Sequence, residues 1–107
     1  MPPDLLFISN ARLAQNAPAD VYDPLAPAPE LIVEIVSASD TASVLAAKLS
    51  DYQTVGVQEV WIVHPDIQTV EVLTLADGNN RVYVGGTTAA SVVFSGLVAE
   101  IDAIFQE

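Results

Sequence analysis

The stretch Glu30-Leu31-Ile32-Val33-Glu34-Ile35-Val36-Ser37, followed by Asp40 to Tyr52 and then Val60-Trp61-Ile62-Val63-His64, decides the fold. Two short apolar runs flank a segment of helix length. Runs of this kind read as strands covered on both faces, and their spacing predicts a right-handed crossover joining a parallel pair. Period 2 puts Ile32, Glu34 and Val36 on one face and Leu31, Val33 and Ile35 on the other. Glu34 is the anomaly. A carboxylate among aliphatic residues costs free energy to bury unless a cation or metal satisfies it.

Between the two strands, Leu45, Leu49 and Tyr52 recur at i, i+4 and i+7, predicting an amphipathic helix of about four turns. Ser37, Ser39 and Asp40 are its N-cap candidates and Gly56 its C-cap. The row Val44, Lys48, Tyr52 sets Lys48 at the edge of the apolar stripe.

Working outward, Asp4 to Ile8 is a short apolar strand closed by Ser9-Asn10, and residues 16 to 29, with four prolines, read as a connecting loop. Downstream, Thr69 to Leu75 alternates between the turn Pro65-Asp66 and the turn Asp77-Gly78-Asn79-Asn80. Arg81 to Val84 returns, so residues 60 to 84 form an antiparallel meander. Ser91 to Phe94 is a short extended piece, and Val98 to Phe105 reads as a terminal helix of about two turns.

At 107 residues the chain fits one domain. Hydrophobic residues make up 51% and charged residues 16%, which argues against disorder, and no apolar run approaches the ~20 residues of a membrane span. A soluble protein is expected. The N-terminus has no secretory pattern and the chain has no cysteine, so the cytoplasm is the expected compartment. Three basic residues (Arg12, Lys48, Arg81) against fourteen acidic ones give a net charge of −11, which repels nucleic acid at long range.

Several chemistries are excluded by motif. No glycine-rich loop precedes a Lys-Ser or Lys-Thr, and no Gly-x-Ser-x-Gly occurs. The single histidine, His64, with no cysteine beside it, reads as structural and not as a zinc ligand. Acid chemistry remains. Asp4, Glu34 and Lys48 are the minimum set for metal-assisted phosphodiester hydrolysis: carboxylates hold Mg²⁺ and the lysine stabilises developing charge. The same three residues also fit a solvated chain-start aspartate, a partly exposed strand glutamate and a snorkelling lysine.

The run from Pro29 to Asp40, with Lys48-x-x-x-Tyr52, Gly56-Val57-x-Glu59-Val60-Trp61-Ile62-Val63 and Pro65, resembles the Uma-two restriction endonuclease family of the PD-(D/E)xK nuclease superfamily. Pro3-Asp4-Leu5-Leu6-Phe7 is similar to that family's Pro-Asp strand, and the likeness extends through Thr69 to Leu75 and Phe94 to Phe105. The resemblance implies an α/β fold with a mixed, restriction-endonuclease-like sheet, a crossover helix and a C-terminal helix. It implies a Mg²⁺ (or Mn²⁺) site at Asp4, Glu34 and the carbonyl of Ile35, with catalysis by Asp4, Glu34 and Lys48. Val36 stands where the simple motif has lysine, and Lys48 on the helix takes that place. Family members are generally longer at the N-terminus, Glu30 stands where Asp is usual, and His64 stands where Asp commonly precedes the proline.

The expectation is therefore a single domain over residues 1–107, an incomplete core lacking the family's N-terminal elements, acting as a Mg²⁺-dependent nuclease on nucleic acid, DNA in the first instance. The alternative is a catalytically inactive or truncated relative that works by protein association. Missing flanking elements would leave the Asp4 to Ile8 strand and one sheet face uncovered, which predicts a homodimer.

Overall fold

A computed structural model describes residues 5–15, 28–37 and 40–106. Five strands form one sheet in the order β1 (Leu5–Phe7), β2 (Leu31–Ile35), β3 (Glu59–His64), β4 (Thr69–Thr74) and β5 (Asn80–Tyr83). β2 and β3 are parallel, with Glu34 opposite Ile62, and every other neighbouring pair is antiparallel, so the sheet is mixed. The expected α/β architecture, parallel pair and meander are all present. Two further strands, β6 (Thr88–Ala90) and β7 (Val98–Glu100), pair antiparallel as a separate ribbon.

The crossover between β2 and β3 is α2 (Ala42–Val55), preceded in the chain by a short α1 (Asn10–Gln15). Its N-cap is Thr41, whose hydroxyl accepts from the Val44 N–H at 3.2 Å, one position beyond the Asp40 candidate; Ser39 lies outside the described residues. Asp40 instead closes a turn, accepting the Ser37 N–H at 2.8 Å. Gly56 ends the helix as expected. At φ 100° it donates to Gln53 O while the Val57 N–H reaches Tyr52 O at 2.9 Å, the paired bonds of a Schellman cap that a left-handed residue permits.

The two faces of the sheet carry separate cores. Ile32, Val60 and Ile62 pack with Tyr52 and Val57 beneath α2, joined by Leu45 and Leu49. On the other face Leu31, Trp61, Val63, Val70 and Val72 pack with Ala89 and Ile101 from the C-terminal ribbon. Alternation in β2 thus sends its even-numbered residues under the helix and its odd-numbered ones toward the ribbon, as period 2 requires.

Three expectations are corrected. The Ser9-Asn10 pair does more than close a strand: the Ser9 hydroxyl accepts the Arg12 N–H at 3.2 Å and starts α1, which the strand reading passed over. Ser91 to Phe94 is a turn, held because its Val92 and Val93 N–H groups donate to Glu59 Oε1 at 2.7 and 3.1 Å. The two-turn terminal helix is a strand, Val98–Glu100, followed by the single turn α3 (Ile101–Ile104). Pairing of Ala99 with Ala89 wins over helical periodicity there, while Ile101 still docks its side chain in the core. Most of the proline-rich 16–29 segment lies outside the described residues.

Candidate functional site

Glu34 stands in the middle of β2 on the α2 face, 3% exposed. Its flanks are Ile32 and Val36, and Ile62 lies opposite on β3, so the strand itself offers its carboxylate no polar partner. α2 supplies both partners. Tyr52 Oη donates to Glu34 Oε1, and Lys48 Nζ lies 3.4 Å from Oε2. Lys48 and Tyr52, four residues apart, share one side of the helix, which is why one carboxylate can meet both. The lysine side chain is 19% exposed against 4% for the glutamate, so the pair runs from the core to the helix margin.

Glu34 and Lys48 therefore meet on one face of the sheet. Asp4, the third member, lies outside the described residues. The Val36 N–H donates to Val63 O at 2.9 Å, so the alternation of a parallel strand turns the backbone of Ile35 the other way, toward β1. No group of three His, Cys, Asp or Glu side chains that could hold a metal occurs among the described residues.

The Lys48 charge also reaches Asp40. The Ser37 N–H foremost, with lesser help from the Ser37 hydroxyl and the Lys48 cation, holds the Asp40 carboxyl below the ordinary aspartate range against the opposing effect of desolvation. Two other buried carboxylates are satisfied differently. Glu59 accepts from the Trp61 indole at 2.7 Å besides the two turn amides. Glu30 accepts the Ser9 N–H at 2.9 Å, and Arg12 Nε lies 4.0 Å away. Burial would raise the Glu30 carboxyl, but the Ser9 hydroxyl and amide and the Arg12 charge together hold it low.

Sequence reasoning missed Tyr52 as a polar partner, assigning it to the apolar stripe, where its ring does lie. The signal was available in the spacing Lys48-x-x-x-Tyr52. His64, read as structural, follows Val60 and Ile62 onto the α2 face and bonds Glu71 Oε1 through Nε2 at 2.8 Å. Asn80 Nδ2 donates to the other oxygen of Glu71 at 2.7 Å.

No curated protein matches significantly. Among solved structures, the crystal structure of a "putative nuclease belonging to DUF820" from Anabaena variabilis ATCC 29413 is similar, with a TM-score of 0.61 and 24% identity over 72% of this chain, a likeness of fold. The chain spans 44% of that structure's length. No helix among the described residues is long and apolar enough to cross a membrane. The family model Uma2, described as "Putative restriction endonuclease", matches residues 2–101, and the chain belongs to that family.

Proposed function

We propose that the chain carries the catalytic half-site of a Mg²⁺- or Mn²⁺-dependent nuclease acting on DNA. The observation that supports this most is the buried carboxylate of Glu34 with the Lys48 ammonium 3.4 Å away on the same face. Such a pair is the acidic and cationic equipment of phosphodiester hydrolysis, and the family suggests the substrate.

The donor set suits a hard divalent ion. Mg²⁺ needs only one or two carboxylates and keeps several waters, so Asp4, Glu34 and the Ile35 carbonyl would suffice without a larger acidic cluster. The ion, when bound, lowers the pKa of a coordinated water and offsets charge on the phosphate. Tyr52 fixes the Glu34 carboxylate by holding Oε1, which leaves the orientation of Oε2 to Lys48. Lys48 has three donors and only one faces Glu34, so its remaining N–H groups can stabilise charge that develops on a phosphate oxygen. Lys48 is the single cation at this site. Arg12 is occupied by the carbonyls of Ala28 and Gly56 at 3.0 and 3.1 Å, and Arg81 lies on β5.

Glu34→Gln is expected to keep the fold and abolish Mn²⁺-dependent nicking of plasmid DNA, since it removes a charged ligand while preserving shape. Equal nicking by wild type and variant would refute the assignment. A thermal shift with millimolar Mg²⁺ or Mn²⁺ in wild type, absent from Glu34→Gln, is the companion readout.

Association is the second reading, as a homodimer. Among the described residues β1 is a three-residue strand at the edge of the sheet, Leu5 is 53% and Ile35 51% exposed, and an apolar groove of about 370 Å³ opens beside them between Phe7, Val33, Trp61 and Leu97. A second copy pairing along β1 would cover both edge and groove. Sedimentation equilibrium at micromolar concentration tests it: a purely monomeric 11.3 kDa species with normal stability overturns the dimer.

A further inference from the structure

At the carboxyl ends of the two parallel strands a cleft of about 350 Å³ is lined by Ile35, Val36, Ser37, His64, Pro65 and Asp66. Parallel sheets bind ligands at this end, where the strands stop and the connections diverge. The volume is at the lower end of small-molecule sites. Register aligns His64 with Val36, one step beyond the Val63 and Ile35 pair, so His64 stands one strand over and two residues along from Glu34. Strand spacing and rise put the two backbones on the order of 8 Å apart on one face.

The imidazole is aimed by a chain of polar side chains crossing the sheet. Asn80 on β5 holds Glu71 on β4, and Glu71 holds Nε2 of His64 on β3. A carboxylate only accepts, so Nε2 carries the proton, and in the neutral ring Nδ1 is left as an acceptor. Nδ1 has no hydrogen-bond partner among the described residues. The side chain is 20% exposed and is one of the residues that line the cleft.

The cleft's chemistry disfavours an anion. The Ser37 N–H and hydroxyl, the donors a phosphate would use, are directed at Asp40 Oδ2 at 2.8 and 3.2 Å. Asp66 and Asp40 add negative charge nearby, and no lysine or arginine lines the wall. Val36, Ile35 and Pro65 offer apolar surface to a ring, His64 offers a flat heteroaromatic face and one nitrogen, and Asp66 offers an acceptor. That is the equipment for a sugar and base.

We propose that this cleft seats the nucleoside adjoining the phosphodiester bond at Glu34 and Lys48, with His64, held by Glu71, as its polar and stacking contact. The inference rests on the nuclease reading for the identity of the neighbouring group, and the cleft itself stands independently of it.

His64 is the only histidine, so its ring signals in a carbon-13 spectrum of the intact chain are unambiguous. Titration with thymidine is expected to shift the His64 ring resonances saturably in the millimolar range. Inorganic phosphate should not, and Trp61, on the opposite face, should not respond to thymidine. His64→Ala should raise KM for a short oligodeoxynucleotide several-fold more than it lowers kcat. Silence of His64 toward thymidine, or an equal response to inorganic phosphate, overturns the proposal even where Glu34→Gln abolishes nicking. A saturable thymidine shift in a protein that nicks no DNA keeps the nucleoside cleft and refutes the nuclease reading instead.

Discussion

Replacing Tyr52 by Phe removes one oxygen from the protein and leaves the ring in its pocket under the sheet. Glu34 is 3% exposed, so water cannot take over the lost hydrogen bond in full. Its remaining partner, Lys48, is at 3.4 Å, longer than the ~2.7–2.9 Å of a strong charge-assisted contact. Tyr52 is therefore the stronger partner. Hydrogen bonds to charged groups contribute about 1.5–3 kcal/mol net, and with Lys48 still present about 2 kcal/mol is expected for Tyr52→Phe. With a urea slope of roughly 1–3 kcal/mol/M, the unfolding midpoint should fall by about 1 M at unchanged slope, followed by Trp61 fluorescence. The decisive comparison is the cycle with Glu34→Gln. A neutral amide still accepts from the phenol, but the bond is then worth about 1 kcal/mol or less, so a coupling of about 1–2 kcal/mol should remain after any other contact of the hydroxyl has cancelled. An identical cost of Tyr52→Phe in both backgrounds would refute the claim that the phenol supports the Glu34 charge.

Other expectations follow from the same contacts. Glu59→Ala leaves the Trp61 indole and the Val92 and Val93 amides without an acceptor at a fully buried position, and a loss of about 3–5 kcal/mol in chemical denaturation is expected. Gly56→Ala meets no atom within 4 Å, so its cost is that of the left-handed backbone at φ 100°, about 1–2 kcal/mol, measurable by thermal melting. The Glu30 and Asp40 carboxyls titrate lower in the folded chain than their ordinary values of 4.5 and 3.8. Their contribution to stability is complete above those values and is lost as pH falls through the lower folded ones. The urea midpoint should therefore drop below pH 4.5, and Glu30→Gln should flatten that drop.

The sheet was legible because its strands are apolar and its turns are marked. Leu31 to Val36 and Val60 to Val63 admit burial on both faces, and Gly56 stops the crossover where only a left-handed residue serves. The C-terminal region was less legible because its conformation depends on distant acceptors. Within Ser91 to Phe94 the local contact is the Ser91 hydroxyl accepting the Phe94 N–H at 2.9 Å; the Glu59 carboxylate, more than thirty residues earlier, anchors the turn to the sheet. Likewise Val98 to Glu100 has helix-like periodicity and becomes a strand because Thr88 to Ala90 is available to pair with it. α1 was hidden by Ser9, which ends one element and caps the next.

The candidate site shows the same division between local and distant information. Among the described residues three glutamates are buried, Glu30, Glu34 and Glu59, and only Glu34 was conspicuous, because aliphatic residues flank it on both sides while the others sit where strands begin. Burial alone does not separate them; their partners do. Glu59 is surrounded by three N–H donors that hold a turn to the sheet, and Glu30 by Ser9 and Arg12, which hold α1. Those donors are backbone amides, the core-packed Trp61 indole or a guanidinium engaged elsewhere, so neither carboxylate can give them up without undoing the local fold. Glu34 instead faces one phenol, whose ring is packed in the core beneath α2, and one ammonium on a flexible stem that is partly exposed at the helix margin. Of the two, the ammonium can swing toward solvent while α2 and the phenol stay in place. Among the described residues, Glu34 is the one of the three buried carboxylates whose hydrogen-bond partners are both side chains from a single helix, so a change at Lys48 alters its surroundings without undoing a turn or a helix start.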